Sequence, residues 1–144
     1  MTRQINQAGL DLIKSSEGCK LEAYLDGGGV PTIGYGSTKG IKMGDVITQS
    51  QAEVLLIRDL QHACVGVESV VDVDLSDNQY AALVCLTFNI GVAAFSKSTL
   101  LRLLNEGKYG EAKDQFIRWD KDNGKTIPGL HARREREAEL FGST

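Results

Sequence analysis

The chain has 144 residues, of which 42% are hydrophobic and 24% are charged, and its formal net charge at pH 7 is -3. This length suits one domain that can bury a core without a disulfide or a metal ion to hold it. The weakly acidic balance disfavours nucleic-acid binding by bulk electrostatics, and the composition fits neither a disordered nor a fibrous protein.

The first half of the chain predicts a helix, a small sheet and a long helix. The first helix begins after Asn6, a good capping residue, and ends at Gly18. Residues 20–47 are rich in glycine and β-forming residues, which predicts a small twisted antiparallel sheet. A capping box from Thr48 to Gln51 opens a helix over about 49–68. We expect this helix to bury on one side Val54, Leu55, Ile57 and Val65.

The second half of the chain predicts a helical bundle. A second capping box, from Ser76 to Gln79, opens a central helix that is apolar nearly all round and ends at Gly91. Further helices are predicted from about Ser98 to Leu104, over 109–120 and over 130–141, with one loop before the last helix that is marked by Asp122-Asn-Gly124 and Pro128-Gly129.

These elements predict an α+β fold, mostly α, in a single domain over 1–144. A small antiparallel β lobe covers about 18–48, a linking helix about 49–68, and a helical lobe about 69–144 together with the N-terminal helix. A cleft between two such lobes is the natural place for a ligand. Near the end of the chain, glutamates alternate with Arg133, Arg134 and Arg136, which favours a solvated helix face over a site for an anionic polymer.

The cysteines and histidines indicate no metal site and no disulfide framework. Cys19, Cys64 and Cys85 make an odd count, and their apolar neighbours predict buried free thiols. His62 and His131 are expected to be structural or surface side chains. No Cys/His cluster has the spacing of a zinc site, so we expect neither a metal nor a cofactor.

The start of the chain and its hydropathy bear on localisation. The first residues lack the apolar core of a signal peptide. No apolar stretch approaches the ~18 residues that span a bilayer. We therefore expect a monomer that accumulates in the cytoplasm without stable membrane insertion.

Two carboxylates and a hydroxyl stand close together in the N-terminal stretch. Glu17 lies at the end of the first predicted helix, Asp26 in the glycine-rich β segment, and Thr32 six positions further on. Glycoside hydrolysis needs one protonated carboxyl group and one ionised one. A hydrophobic wall beside the helix end would keep Glu17 protonated, whereas Asp26 on a solvated turn would stay charged. On spacing alone, however, two isolated acids are more often surface charges.

The full pattern is more specific than the two acids. Glu-x8-Asp-x5-Thr, followed by Ile33-Gly-Tyr-Gly36, resembles the active-site signature of the phage-type lysozyme (endolysin) family. The likeness runs from about residue 9 to 141 and includes Phe88-Asn-Ile-Gly91, Ala94 to Arg102, Arg118-Trp119 and Gly129 to Glu137. It implies the mostly helical two-lobe lysozyme fold. It also implies hydrolysis of the β-1,4 bond between N-acetylmuramic acid and N-acetylglucosamine in bacterial peptidoglycan, for host cell lysis.

The resemblance assigns roles residue by residue. Glu17 matches the family's general acid, Asp26 its second carboxylate, and Thr32 the residue that helps to position water. The family inverts the anomeric carbon, which predicts carboxyl groups about 6.5–9.5 Å apart with room for a water between them. The implied partner is the peptidoglycan glycan strand. Release from the host cytoplasm to the periplasm and cell wall is then expected to depend on a holin-type pore.

Other positions match the family's sugar-binding cleft or depart from its pattern. Gly36, Phe88 and Ser98 match residues that line the cleft. Ser37 stands where members commonly have histidine, so any ion pair of that histidine is absent, which we expect to affect stability more than chemistry. Pro31, in place of an aromatic residue, lacks an N–H for strand pairing. The three glycines after Asp26 predict a flexible turn and a less well positioned carboxylate.

Three other functions remain as alternatives. A lytic transglycosylase needs a catalytic glutamate but no water-activating aspartate, so the presence of Asp26 and Thr32 argues against it. A non-catalytic glycan-binding protein need not retain Glu17, Asp26 and Thr32 together. A small helical DNA-binding protein is disfavoured by the net charge and by the glycine-rich segment.

Overall fold

The computed structural model describes residues 3–143, which form a mostly helical α+β fold. Residues 1, 2 and 144 of the predicted domain lie outside the described residues. The chain divides into two compact units, Ile13–Gln61 and a second one made of Met1–Leu12 with His62–Thr144. The elements in chain order are α1 (Gln7–Glu17), β1 (Lys20–Leu25), β2 (Pro31–Gly34), α2 (Gln49–Val70), α3 (Asp77–Ile90), α4 (Val92–Ser96), α5 (Thr99–Asn105), α6 (Tyr109–Asp114), a 3-10 helix (Phe116–Trp119), β3 (Lys121–Asp122), β4 (Lys125–Thr126) and α7 (Pro128–Gly142).

The predicted antiparallel sheet is present in the unit of residues 13–61. β1 pairs with β2 in a register that places Tyr24 opposite Thr32 and Leu25 opposite Pro31. Pro31 is the first residue of its strand, a position where the missing N–H is tolerated. After the sheet, the chain returns beside β1, where Glu22 bridges to Val46.

Helix α2 begins where its capping box predicts, but it buries a different face. The backbone N–H of Gln51 donates to Thr48 Oγ1 at 3.1 Å, and the N–H of Thr48 donates to Gln51 Oε1 at 2.8 Å. Val54 is 68% exposed and Val65 is 48% exposed, so the predicted buried side was wrong. Positions two apart on a helix point roughly 200° from each other, and the buried stripe instead consists of Ala52, Leu56, Leu60, Ala63, Cys64 and Val67.

Helix α3 is the centre of the other unit, as its apolar sequence predicts. Ser76 forms the predicted capping box with Gln79, and Gly91 ends the helix. Every side chain from Tyr80 to Thr87 is buried. α3 packs against α7. It also lies close to α1, where an added Cβ at Gly9 would stand 2.9 Å from the Cβ of Ala81.

In the C-terminal third, two expectations about local structure were wrong and a third is refined. The helix predicted over 109–120 is interrupted, because α6 ends at Asp114 and a 3-10 helix follows from Phe116. The loop at 122–124 is the tight turn of the β3–β4 hairpin, with positive φ at Asn123 and Gly124, as a type I′ turn requires. Pro128 lies in the first turn of α7 rather than in a loop, since proline needs no N–H there.

The solvated helix face predicted for the C-terminal arginines was wrong for two of them. Arg133 is 6% exposed, and Arg134 and Glu137 are fully buried. These positions occupy the inward side of α7, where apolar residues usually lie. Opposite charges at spacings of three and four residues allow them to be buried there as ion pairs.

The three cysteines are free. Cys64 and Cys85 are buried, as their apolar neighbours predict, and burial raises the pKa of both thiols. Cys19 is exposed, so its predicted burial was wrong. It follows the end of α1 at the start of the sheet, where the chain faces solvent.

Candidate active site

Glu17 is the last residue of α1 and its side chain is exposed. Gly18 ends the helix with φ of 70°, and its N–H donates to Lys14 O at 3.1 Å. The Glu17 carboxylate lies beside Gly36 of the same unit, because a Cβ added to Gly36 would stand 3.8 Å from Glu17 Oε2. The structure therefore brings these two predicted site residues together.

Asp26 is held by the turn that it begins. Its N–H donates to Val30 O at 3.0 Å, and its carbonyl accepts from Gly29 N at 3.0 Å. Its Oδ1 accepts from the backbone N–H groups of Gly28 at 2.8 Å and Val30 at 2.9 Å. Among the three glycines of the turn, Gly29 adopts positive φ, at 80°. Both hydrogen bonds to the side chain go to Oδ1, and with the two backbone bonds they fix the carboxylate instead of loosening it.

Thr32 is buried on β2, with 4% of its surface exposed. Its hydroxyl donates to Val30 O at 2.8 Å, so its remaining capacity is to accept a hydrogen bond. Thr32 lies opposite Tyr24, and side chains two residues apart on a strand share a face. The N–H of Asp26, the residue after β1, donates to Val30 O, so Asp26 stands opposite Val30, two residues along both strands from the Tyr24–Thr32 pair.

The side chains of Asp26 and Thr32 can each accept a hydrogen bond from a water molecule. A water that donates one hydrogen to Asp26 Oδ2 and the other to Thr32 Oγ1 has a lone pair directed away from both oxygens. Such a water is oriented as a nucleophile, and an ionised carboxylate can take its proton. The unit of residues 13–61 therefore contains the two carboxyl groups, of Glu17 and Asp26, that glycoside hydrolysis needs.

The other two predicted cleft residues, Phe88 and Ser98, belong to the second unit. Phe88 lies near the end of α3 and is half-buried. Ser98 is 9% exposed and caps α5: its Oγ accepts from Leu101 N at 3.1 Å and donates to Phe95 O at 2.7 Å. A sugar contact of either residue stays a prediction.

A buried ionic cluster in the second unit was missed by the sequence analysis. Arg134 donates to Glu137, to Asn89 and, at 3.0 Å, to Trp119 O. Arg133 Nε donates to the other carboxylate oxygen of Glu137 at 3.3 Å. Burial raises the pKa of Glu137, although both arginines oppose that shift, and burial lowers the pKa of Arg134. The signal in the sequence was the spacing of three and four residues between opposite charges on α7.

Two residues of α2 that the sequence analysis also missed hold the segment around Gly36. Gln49 Nε2 donates to Tyr35 Oη at 2.8 Å. Ser37 Oγ donates to Asp59 Oδ2 at 2.6 Å, and Ser37 is 1% exposed. The position where the family commonly has histidine thus keeps a polar contact to α2 through a hydroxyl.

The described part of the chain contains neither a candidate metal cluster nor a helix that could cross a membrane. Within residues 3–143, no three His, Cys, Asp or Glu side chains are grouped so that they could hold a metal ion. Over the same residues, no helix has both the length and the apolar character to cross a bilayer.

Comparison with known proteins identifies relatives along nearly the whole sequence. The model of the phage lysozyme family matches residues 14–137. An endolysin of Acyrthosiphon pisum secondary endosymbiont phage 1 is 46% identical over 143 residues, which cover 96% of this chain and 98% of the relative. An endolysin of Bacillus phage PZA is 44% identical, but the chain spans only 55% of its length. A SAR-endolysin of Enterobacteria phage P21 is 37% identical over 86% of this chain and 76% of its own.

Solved structures agree with the predicted fold class. The muramidase domain of SpmX from Asticaccaulis excentricus has a TM-score of 0.91 at 37% identity and covers 99% of this chain and 100% of its own. A variant of P22 lysozyme has a TM-score of 0.90 at 41% identity, with 98% and 99% covered. The expected mostly helical lysozyme fold is therefore confirmed.

Proposed function

Because the chain belongs to the phage lysozyme family, we propose that it is an endolysin that cleaves the β-1,4 bond between N-acetylmuramic acid and N-acetylglucosamine in peptidoglycan. Membership makes it a lysozyme-type hydrolase of the kind that serves cell lysis; the bond and the catalytic residues are the proposal. One observation carries it: the Asp26 carboxylate is fixed by its own turn, two residues from the Tyr24–Thr32 pair of the hairpin and in the same unit as Glu17.

In the proposed reaction, Glu17 is the general acid. It gives its proton to the glycosidic oxygen as the bond between that oxygen and the anomeric carbon of the muramic acid residue breaks. Water held by Asp26 and Thr32 attacks the anomeric carbon from the opposite face, and Asp26 accepts the water proton. A single displacement of this kind inverts the anomeric configuration, with no metal or cofactor in any step.

The proposed substrate contacts extend beyond these three residues. Gly36 is exposed beside Glu17 and offers bare backbone to a sugar. Phe88 and Ser98 are further candidates, supported by the family resemblance. The Ser98 hydroxyl already donates its hydrogen to the carbonyl oxygen of Phe95, so it can only accept a hydrogen bond from a sugar.

The protein must reach peptidoglycan outside the membrane of its host. We expect a monomer that waits in the host cytoplasm and reaches peptidoglycan through a holin-type pore. One relative is described as a SAR-endolysin, so a route without a holin is the alternative. Expressing the chain in a bacterial host with and without a holin, and recording lysis, separates the two: lysis in both cultures would contradict the dependence on a pore.

Mass spectrometry of the sugars released from purified peptidoglycan tests the reaction. We expect reducing ends at muramic acid that have gained one water, and their loss in Glu17→Gln. Glu22→Gln is the matched control, because Glu22 is another exposed glutamate of the same unit. Proton NMR of the first-formed product should show the inverted anomer.

The other outcomes identify the competing functions. Anhydro ends would make the protein a lytic transglycosylase and leave Asp26 without its proposed role. Binding to peptidoglycan without any release by the wild-type protein would make it a glycan-binding module. Release that survives in Glu17→Gln would remove Glu17 as the acid.

A further inference from the structure

The segment from Ile33 to Ser37 is a closed turn that carries Gly36 against the Glu17 carboxylate. Ile33 and Ser37 exchange both of their backbone hydrogen bonds, each at 2.9 Å. Gly36 has φ of 94°, and an added Cβ there would lie 3.8 Å from Glu17 Oε2. Because Gly36 has no side chain of its own, the two residues that flank it determine where its backbone lies.

Both flanking residues are attached to α2. Tyr35 Oη accepts from Gln49 Nε2 at 2.8 Å, and Ser37 Oγ donates to Asp59 Oδ2 at 2.6 Å. The two α2 residues are ten positions apart, which is about 15 Å along a helix. The turn is therefore anchored at two distant points of one rigid element.

The anchor at Ser37 is the stronger hydrogen bond of the two. Its acceptor is a carboxylate, and such charge-assisted bonds are short and strong. The other oxygen, Asp59 Oδ1, accepts from Arg58 Nε at 3.2 Å and Nη2 at 3.1 Å, which orients the carboxylate toward Ser37. The Ser37 side chain is buried, so water does not readily replace Asp59 as its partner.

We propose that Ser37 and Asp59 are positioning residues for the general acid, because their hydrogen bond holds the backbone of Gly36 against the Glu17 carboxylate. The inference rests on the proposed role of Glu17. A general acid must lie within hydrogen-bond reach of the oxygen that it protonates. If the backbone of Gly36 shifts, the surface against which the Glu17 carboxyl group lies shifts with it.

Ser37 stands at the position that the family commonly fills with histidine. Loss of an ion pair there was expected to affect stability more than chemistry. Here Ser37 keeps a link to α2 with a group that does not titrate at neutral pH. The link stands one residue from Gly36, so its removal should affect catalysis as well as stability.

A double-mutant cycle tests the inference. Ser37→Ala, Asp59→Ala and the double variant are compared for kcat and KM on soluble glycan fragments prepared from peptidoglycan, with Asp59→Asn as a milder variant if Asp59→Ala folds poorly. Each single variant should lose about tenfold in kcat with little change in KM, since small misplacements of reacting groups are costly. The double variant should lose no more than either single variant, because both remove one interaction.

A stability-matched control separates positioning from folding. Ser76→Ala removes the cap of α3 in the other unit and should cost a comparable amount of stability. At a temperature where all variants are folded, as checked by circular dichroism, Ser76→Ala should keep the wild-type kcat. A loss in Ser76→Ala equal to that in Ser37→Ala would overturn the inference.

The remaining outcomes also decide the question. Full kcat in Ser37→Ala, or additive losses in the double variant, would overturn the inference. Failure of the proposed function gives a different result, because then either the wild-type protein releases no sugars or Glu17→Gln retains activity. If Glu17→Gln is inactive and Ser37→Ala is fully active, the general acid stands and only the positioning role fails.

Discussion

Arg134 and Glu137, one turn apart on α7, form an ion pair in which both side chains are fully buried. Burial raises the pKa of Glu137 and lowers the pKa of Arg134, so desolvation penalises both charges despite their mutual attraction. Removing one partner of such a pair leaves the other charge without compensation in the interior. The cluster is therefore a point at which a single substitution should be very costly.

Arg134→Met should lower the free energy of unfolding by about 3–5 kcal/mol, the range for breaking a buried pair. The substitution leaves Glu137 with Arg133 alone, and removes the donor to Asn89 and Trp119 O. Urea unfolding followed by circular dichroism measures the loss. Arg102→Met is the control, since Arg102 pairs with Glu106 on the surface, where solvent screens the interaction and such pairs contribute little to stability. Similar losses in the two variants would contradict the buried pair's importance.

Thr32→Val should lower kcat by about a hundredfold, as expected when a group that orients the reacting water is lost. The Thr32 hydroxyl donates to Val30 O, so in our proposal it serves the water only as an acceptor. Valine has nearly the same shape and removes that acceptor. Thr32→Ser keeps the hydroxyl and should retain most of the activity. Initial rates of clearing of a peptidoglycan suspension compare the variants, and a wild-type rate for Thr32→Val would mean that Asp26 orients the water alone.

Gly29→Ala should destabilise the protein and reduce activity, whereas Gly27→Ala should do neither to a comparable extent. A Cβ at either position meets no atom within 4 Å, but Gly29 alone of the two has positive φ. The left-handed conformation costs a residue with a side chain roughly 1–2 kcal/mol. Strain in this turn would loosen the hydrogen bonds to Asp26 Oδ1.

Thermal unfolding and kcat, measured on both glycine variants, check this prediction. Equal effects in the two would mean that the turn does not depend on the conformation of Gly29. A stability loss in Gly29→Ala with full kcat would show that the placement of Asp26 tolerates a distorted turn.

The helix starts were predictable from sequence because capping is local chemistry. Asn6, Ser76 and Ser98 each accept a hydrogen bond from an N–H three residues further along. The buried face of α2 was not predictable in this way. Val54 and Val65 are as apolar as the residues that are buried, and what packs on a helix depends on the rest of the fold.

The candidate site also has a part that the local sequence predicts and a part that it does not. Glu17, Asp26 and Thr32 stand in one short stretch with a recognisable spacing. Asp59 lies 22 residues from Ser37, and no local pattern links the two. The burial of Arg134 was missed for a related reason: charge in a sequence favours a solvated face, and only the fold shows which charged side chains find partners inside.

Asp120→Asn should destabilise the protein at neutral pH, with an effect that fades in acid. Asp120 Oδ2 contacts His131 Nδ1 at 2.8 Å, and Oδ1 accepts from Lys121 Nζ at 3.1 Å. These contacts, the His131 hydrogen bond first, lower the pKa of Asp120. A lowered pKa stabilises the folded state above the carboxyl's ordinary pKa of about 3.9, and this contribution is lost as the pH falls through the lowered value.

Urea unfolding at a series of pH values from about 7 down to about 2 tests this relation. The difference in unfolding free energy between wild type and Asp120→Asn should be largest near neutrality and should shrink below about pH 4, where the wild-type carboxyl becomes neutral like the amide. Asp114→Asn is the control, because Asp114 is an exposed carboxylate of the same unit, and its difference should stay small throughout. If the difference in unfolding free energy between wild type and Asp120→Asn stays constant across the whole pH range, the residue acts through its shape and neutral hydrogen bonds. Its negative charge would then not stabilise the contact between α7 and the segment before it.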